Sequence, residues 1–202
     1  LDVDLMCPGG IARGVGEAMR DKVLVLPTIA YGYTGHVMDF PGTINTHWET
    51  FIKQVLDVTK SLAYHGFKKI ILLNGHGSNM PNLDLAARRT NLETDAECVL
   101  IAWWNLLTVD KTFLPSWRES KFPGGCSHAC ELETAFLLHL RPDLCHMERV
   151  VDEVEFISTP NYYNDWVEGG ALVISHPWED DTLTGAYGAG SLATAENGAL
   201  WL

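Results

Sequence analysis

The sequence contains no run of lysine or arginine, no internal repeat, no low-complexity tract and no linker composition. Nor does it hold an apolar stretch approaching the roughly 20 residues of a membrane span, and no secretory leader is visible. The formal charge is −12, from 14 basic and 26 acidic residues. That balance argues against nucleic acid and against an anionic membrane surface as partners. The five cysteines (Cys7, Cys98, Cys126, Cys130 and Cys145) are odd in number and scattered. They read as reduced thiols, and the expected location is cytoplasmic. Cys126 and Cys130 lack the second pair that a structural zinc knuckle needs. With nothing to divide it, the 202-residue chain is expected to be one domain, 1–202, with one substantial core.

What the sequence does have is Asn74-Gly75-His76-Gly77-Ser78-Asn79. The turn follows Lys68 to Leu73, an apolar, β-branched run of strand length. Pro81 then opens a helix expected to reach Leu92. This is a turn at the C-terminal end of a parallel strand, where open α/β folds keep their sites. Glycine permits the sharp bend, and asparagine side chains bond their own backbone to lock it. A polar turn that merely caps the next helix is the alternative, although packing asks for no histidine there.

Elsewhere the pattern predicts a helix over Pro8–Met19, a short strand over Lys22–Leu26, and a long loop from Thr28 to Gly42. That loop carries Tyr31, Tyr33, His36 and Phe40-Pro41-Gly42-Thr43, and its length and aromatics suit an ordered functional lining. Thr46 and Glu49 form a capping box ahead of a helix ending near Gly66. Glu97 to Trp104 is a third strand, Asn105 to Ser127 a loop, and Ser127 a cap for a helix His128–Leu140. A last helix is expected near Leu192–Leu202. Strands alternating with helices predict an α/β three-layer sandwich with a largely parallel central sheet.

The second chemical cluster is His128-Ala129-Cys130-Glu131-Leu132-Glu133-Thr134. On a helix, His128 and Glu131 share a face and Glu133 is rotated away. A helix start favours acidic side chains through its dipole, which accounts for the glutamates but not for His128. Asp4 adds a carboxylate in an otherwise apolar opening. Imidazole and carboxylate donors from separate strand ends and helix starts are those of zinc or manganese hydrolases. Such an ion activates water and polarises a carbonyl. Ser78 is off-centre for a Gly-x-Ser-x-Gly elbow, so a serine nucleophile is disfavoured.

These two blocks, with Phe40-Pro41-Gly42-Thr43-Ile44 between the expected elements, resemble the creatininase (creatinine amidohydrolase) family. Leu1-Asp2-Val3-Asp4 resembles the end of that family's first motif, Glu-x-His-Gly-x-His-Leu-Pro-Leu-x-x-Asp. The motif's earlier glutamate and histidine ligands have no counterpart in this sequence. The resemblance implies an α/β amidohydrolase with two adjacent divalent ions per subunit, most often zinc, with manganese at one site in some members. It also implies a small-molecule substrate and a homo-oligomer, commonly a homohexamer.

Carried over residue by residue, the resemblance makes Asp4 the bridge between the ions and His76 a ligand of one. Creatininase has a metal-binding glutamate where Ser78 stands here, so the ligand role passes to Glu131. His128 corresponds to the catalytic histidine, and Glu133 to a catalytic-site carboxylate that orients its neighbours. His36, Ser78, Trp104 and Trp117 are expected to line the substrate pocket, although large aromatics also fill cores. The expected reaction is metal-dependent hydrolysis of a small cyclic amide, formamide or related non-peptide substrate. The absent glutamate leaves creatinine itself in doubt, and a metal-poor binding or scaffold subunit is the alternative.

Overall fold

The computed structural model describes residues 3–166 and 168–202. Helix α1 (Val3–Ala18) comes first, starting five residues before the expected Pro8 and admitting that proline in its interior. The Lys22–Leu26 segment is not a strand. It has no ladder partner among the described residues, and Leu24, Val25 and Leu26 stay exposed. Helix α2 (Trp48–Tyr64) follows the Tyr-Gly loop. The capping box does not form, because the Thr46 N–H is committed to the Gly32 carbonyl at 2.8 Å and the helix starts after it.

Strand β1 (Lys69–Asn74) then runs into the Asn-Gly-His turn, and helix α3 (Met80–Glu93) leaves it. Strand β2 (Glu97–Ala102) pairs with β1 in parallel, from Lys69 opposite Glu97 to Asn74 opposite Ala102. Trp103 and Trp104 do not extend the strand; they open a short helix α4 (Trp103–Leu106), followed by α5 (Phe113–Trp117). Strand β3 (Cys126–His128), helix α6 (Glu131–Leu140), strand β4 (Tyr187–Gly188) and helix α7 (Ala195–Trp201) complete the chain.

The parallel pairing and the alternation of helix and strand agree with the sequence reading, but the described central sheet is narrower than expected. Among the described residues the sheets are two-stranded, β1–β2 parallel and β3–β4 antiparallel. Helices α2 and α3 cover one face of β1–β2 through Leu72, Leu83, Ala86, Ala87, Cys98 and Leu100. On the other face Leu73 joins a core formed by α1, α4, α6 and α7, including Cys7, Trp103, Leu132, Phe136 and Trp201. No described helix is long and apolar enough to cross a membrane.

Candidate metal and catalytic site

The Asn74–Asn79 turn is built as its residues dictate. Asn74 is buried, its amide donates to the His76 carbonyl at 2.7 Å, and its oxygen accepts the His76 N–H at 3.2 Å. Asn79 accepts the Tyr33 N–H at 2.9 Å, tying the Tyr-Gly loop to the turn. Gly75 is required for contact rather than for an unusual φ. A Cβ there would lie 2.0 Å from the Asp4 carbonyl oxygen and 2.8 Å from Pro8 Cγ. That close approach of α1 sets Asp4 beside the turn, with its Oδ2 3.1 Å from His76 Nδ1. The other ring nitrogen, His76 Nε2, is buried without a hydrogen-bond partner among the described residues. A buried polar atom of that kind calls for a partner, an ion included.

Glu133 belongs to the same site. Its carboxylate accepts the Ala129 N–H at 2.6 Å and lies 3.6 Å from His128 Nδ1. Burial and then the Asp4 charge push its pKa up to about 8. His36 and His128 are both held down to about 4, chiefly by desolvation, and the neighbouring His76 adds to the effect on each. Both rings are therefore neutral at pH 7. Ser78 Oγ sits 3.2 Å from His36 Nδ1 and 3.3 Å from its Nε2, and the His36 ring stacks on His76 at 5.9 Å.

Glu131 departs from its sequence expectation. Its carboxylate is buried and accepts the Glu119 N–H at 3.1 and 3.2 Å and the Ser120 N–H at 2.9 Å. The reason lies in where the helix begins. Ser127 is the centre of β3 rather than a cap, Ala129 takes a left-handed φ of 49°, and α6 starts only at Glu131. This rotates Glu133, not Glu131, toward His128. Trp104 is likewise in the core, packed on Trp166 at 4.1 Å, while Trp166 in turn neighbours Gly77. Trp117 is largely at the surface, at the end of α5, and makes no recorded ring contact with the site histidines among the described residues.

Sequence reasoning passed over Trp178. Its indole meets His36 and His128 edge-on, at 5.0 Å from each. It stands in the irregular tail, where no periodicity marks it. The site thus holds Asp4, His36, His76, His128 and Glu133, with Ser78 and Trp178 beside them. The nitrogen and oxygen donors suit zinc or manganese, and the unpartnered His76 nitrogen fits a ligand. Among the described residues, however, no three His, Cys, Asp or Glu side chains are arranged to hold an ion.

A family profile described as creatinine amidohydrolase matches residues 1–202. Creatinine amidohydrolase of Pseudomonas putida is 30% identical over 163 residues, 75% of this chain and 62% of that protein. Mycofactocin precursor peptide peptidase of Mycobacterium ulcerans is 28% identical over 74% of this chain and 55% of its own length. A 3-dehydro-scyllo-inosose hydrolase of Thermotoga maritima is 26% identical over 89% of the chain and 60% of that protein. The chain thus spans somewhat more than half the length of the curated relatives it matches. A creatininase crystal structure superposes with a TM-score of 0.77 at 27% identity, covering 100% of this chain and 77% of that one. A manganese creatininase superposes at 0.75 with 25% identity, covering 100% and 78%. From motif, site and fold together, the chain belongs to the creatininase family.

Proposed function

We propose that this chain belongs to a metal-dependent amidohydrolase that opens a small cyclic amide, a formamide or a related non-peptide substrate. The observation that carries the reading is the Asp4–His76 contact, with a buried, unpartnered His76 Nε2 beside Glu133 and His128. Asp4 and His76 would supply part of the shell of the divalent ion, zinc or manganese by analogy with the family, where two ions per subunit are the rule, with Glu133 as the carboxylate that orients the site. Glu131 is left out of that set because its buried carboxylate already serves the Glu119 and Ser120 N–H groups. When bound, the ion supplies Lewis-acid polarisation of the carbonyl and acidification of water.

The protein's own residues do the rest. Asp4 holds the His76 ring so that Nε2 faces inward, and the Ala129 N–H fixes the Glu133 carboxylate. His128, neutral at pH 7, takes up a proton and delivers it to the leaving nitrogen. The precursor peptide and the 3-dehydro-scyllo-inosose named for relatives widen the class to be screened. We assign the chain a homo-oligomeric assembly, a hexamer by family likeness, and a cytoplasmic location on its free thiols.

His76→Ala should remove bound metal and turnover together, and metal retained at the wild-type level would contradict the assignment. His128→Ala should keep the metal while lowering kcat. A metal-poor binding or scaffold subunit is the second reading, favoured by the lack of three convergent donors among the described residues. Elemental analysis separates the two: about two divalent ions per chain supports the enzyme, and none supports the scaffold.

A further inference from the structure

The segment from His176 to Tyr187 is a strap tied down on both sides of its turn. His176 Nε2 and the Tyr187 hydroxyl both meet Asp181 Oδ2, at 2.5 and 3.0 Å. The Glu153 carboxylate accepts the Thr182 hydroxyl and the N–H groups of Leu183 and Thr184, the latter two at 3.2 Å. The Glu153 backbone is bridged in turn to Gly188 of β4. At Gly185 φ is +87°, and a Cβ would lie 3.3 Å from the Phe40 ring, so only glycine lets the strap rest on the Phe-Pro-Gly-Thr loop. The product of this anchoring is the position of Trp178. Its ring lies 5.0 Å edge-on from His36 and from His128, with Tyr187 behind it at 5.4 Å. Two flat rings with a third stacked between them need a separation of about 7 Å, twice the van der Waals contact of roughly 3.5 Å. No ring fits between Trp178 and either imidazole at this spacing.

We propose that Trp178 is a specificity-determining residue that covers His36 and His128 and limits the size of what reaches them, with Asp181 as its positioning residue. The substrate it admits is a small, compact amide; bulkier N-substituted amides are turned away by the indole. The choice of substrate class rests on the hydrolase reading above, whereas the covering role rests on the ring geometry alone.

The test uses two histidine-acylating reagents of different size on the full chain as purified, with no substrate present. The reagents are diethyl pyrocarbonate and the bulkier di-tert-butyl dicarbonate. Rates at His36 and His128 are read by peptide mass spectrometry and normalised to the exposed His146. Trp178→Ala should raise the rate with the bulky reagent at least fivefold at His36, and with the small one less. Asp181→Asn should raise it by an intermediate factor, and Trp178→Phe should stay within twofold of wild type. Rates unchanged in Trp178→Ala, or raised equally for both reagents, would overturn the proposal. If Trp178→Ala also loses the far-UV circular dichroism of wild type, the variant has unfolded. Tyr187→Phe, which removes one hydroxyl, then decides by a selective rise at His36 or its absence. Because no turnover is measured, failure of the hydrolase reading leaves this result intact, and the converse also holds.

Discussion

Glu131→Gln separates the family-based role of this residue from the one its surroundings impose. The Glu131 carboxylate is 1% exposed and serves two backbone donors, Glu119 N–H and Ser120 N–H. Glutamine keeps one carbonyl oxygen for Ser120 but turns an NH2 group toward the Glu119 N–H, donor against donor. Losing one charge-assisted bond of this kind costs about 2 kcal/mol. Glu131→Ala leaves both N–H groups without an acceptor and opens a void, for about 3–5 kcal/mol. Urea unfolding of metal-stripped protein, followed by circular dichroism, should show these losses in that order. Metal content of the folded Gln variant, by elemental analysis, should match wild type. Loss of metal with an unchanged urea midpoint in the stripped protein would refute the reasoning and return Glu131 to the coordination shell.

Breaking the buried Arg118–Asp165 pair, bidentate at 2.7 Å and also holding the Gly124 N–H, should cost about 3–5 kcal/mol in Asp165→Ala, measured by chemical unfolding. Gly75→Ala should push α1 off the turn, so that metal affinity and stability fall together, by titration calorimetry and thermal melting. In metal-free protein, His36 and His128, held down from 6.5 to about 4, leave the unfolded chain binding more protons between those values, so stability falls as pH drops through that window. Glu133, raised from 4.5 to about 8, has the opposite sign, and stability is lost as pH rises toward 8. Glu133→Gln should therefore abolish the decline between about pH 6.5 and 8 and leave the acid limb, both read from unfolding midpoints against pH.

The elements that local chemistry specifies were legible in the sequence. A β-branched run, a glycine-bracketed histidine and a proline at a helix start describe β1, its turn and α3 within a residue or two. Elements that depend on partners were not. Lys22–Leu26 has the composition of a strand and lies largely exposed with no ladder partner among the described residues, because strand propensity records fit to a neighbour rather than a preference of the chain itself. The same limit explains the site. That His128 and an acidic residue after it converge could be read from spacing, but which glutamate points inward depends on where α6 starts. That start is set by β3 pairing with β4, with Gly188 opposite Cys126 some 60 residues away, and no periodicity around His128 contains it. Trp178 is hidden for the same reason. Its position depends on side-chain bonds from Asp181 and Glu153 across an irregular segment, so only the folded chain brings it to the histidines. Asp4 and Glu133 sit on α1 and α6 and His76 in the turn between β1 and α3, each within a recognisable motif, whereas Trp178, the specificity group proposed above, sits on a strap, where a fold can vary its substrate without disturbing its chemistry.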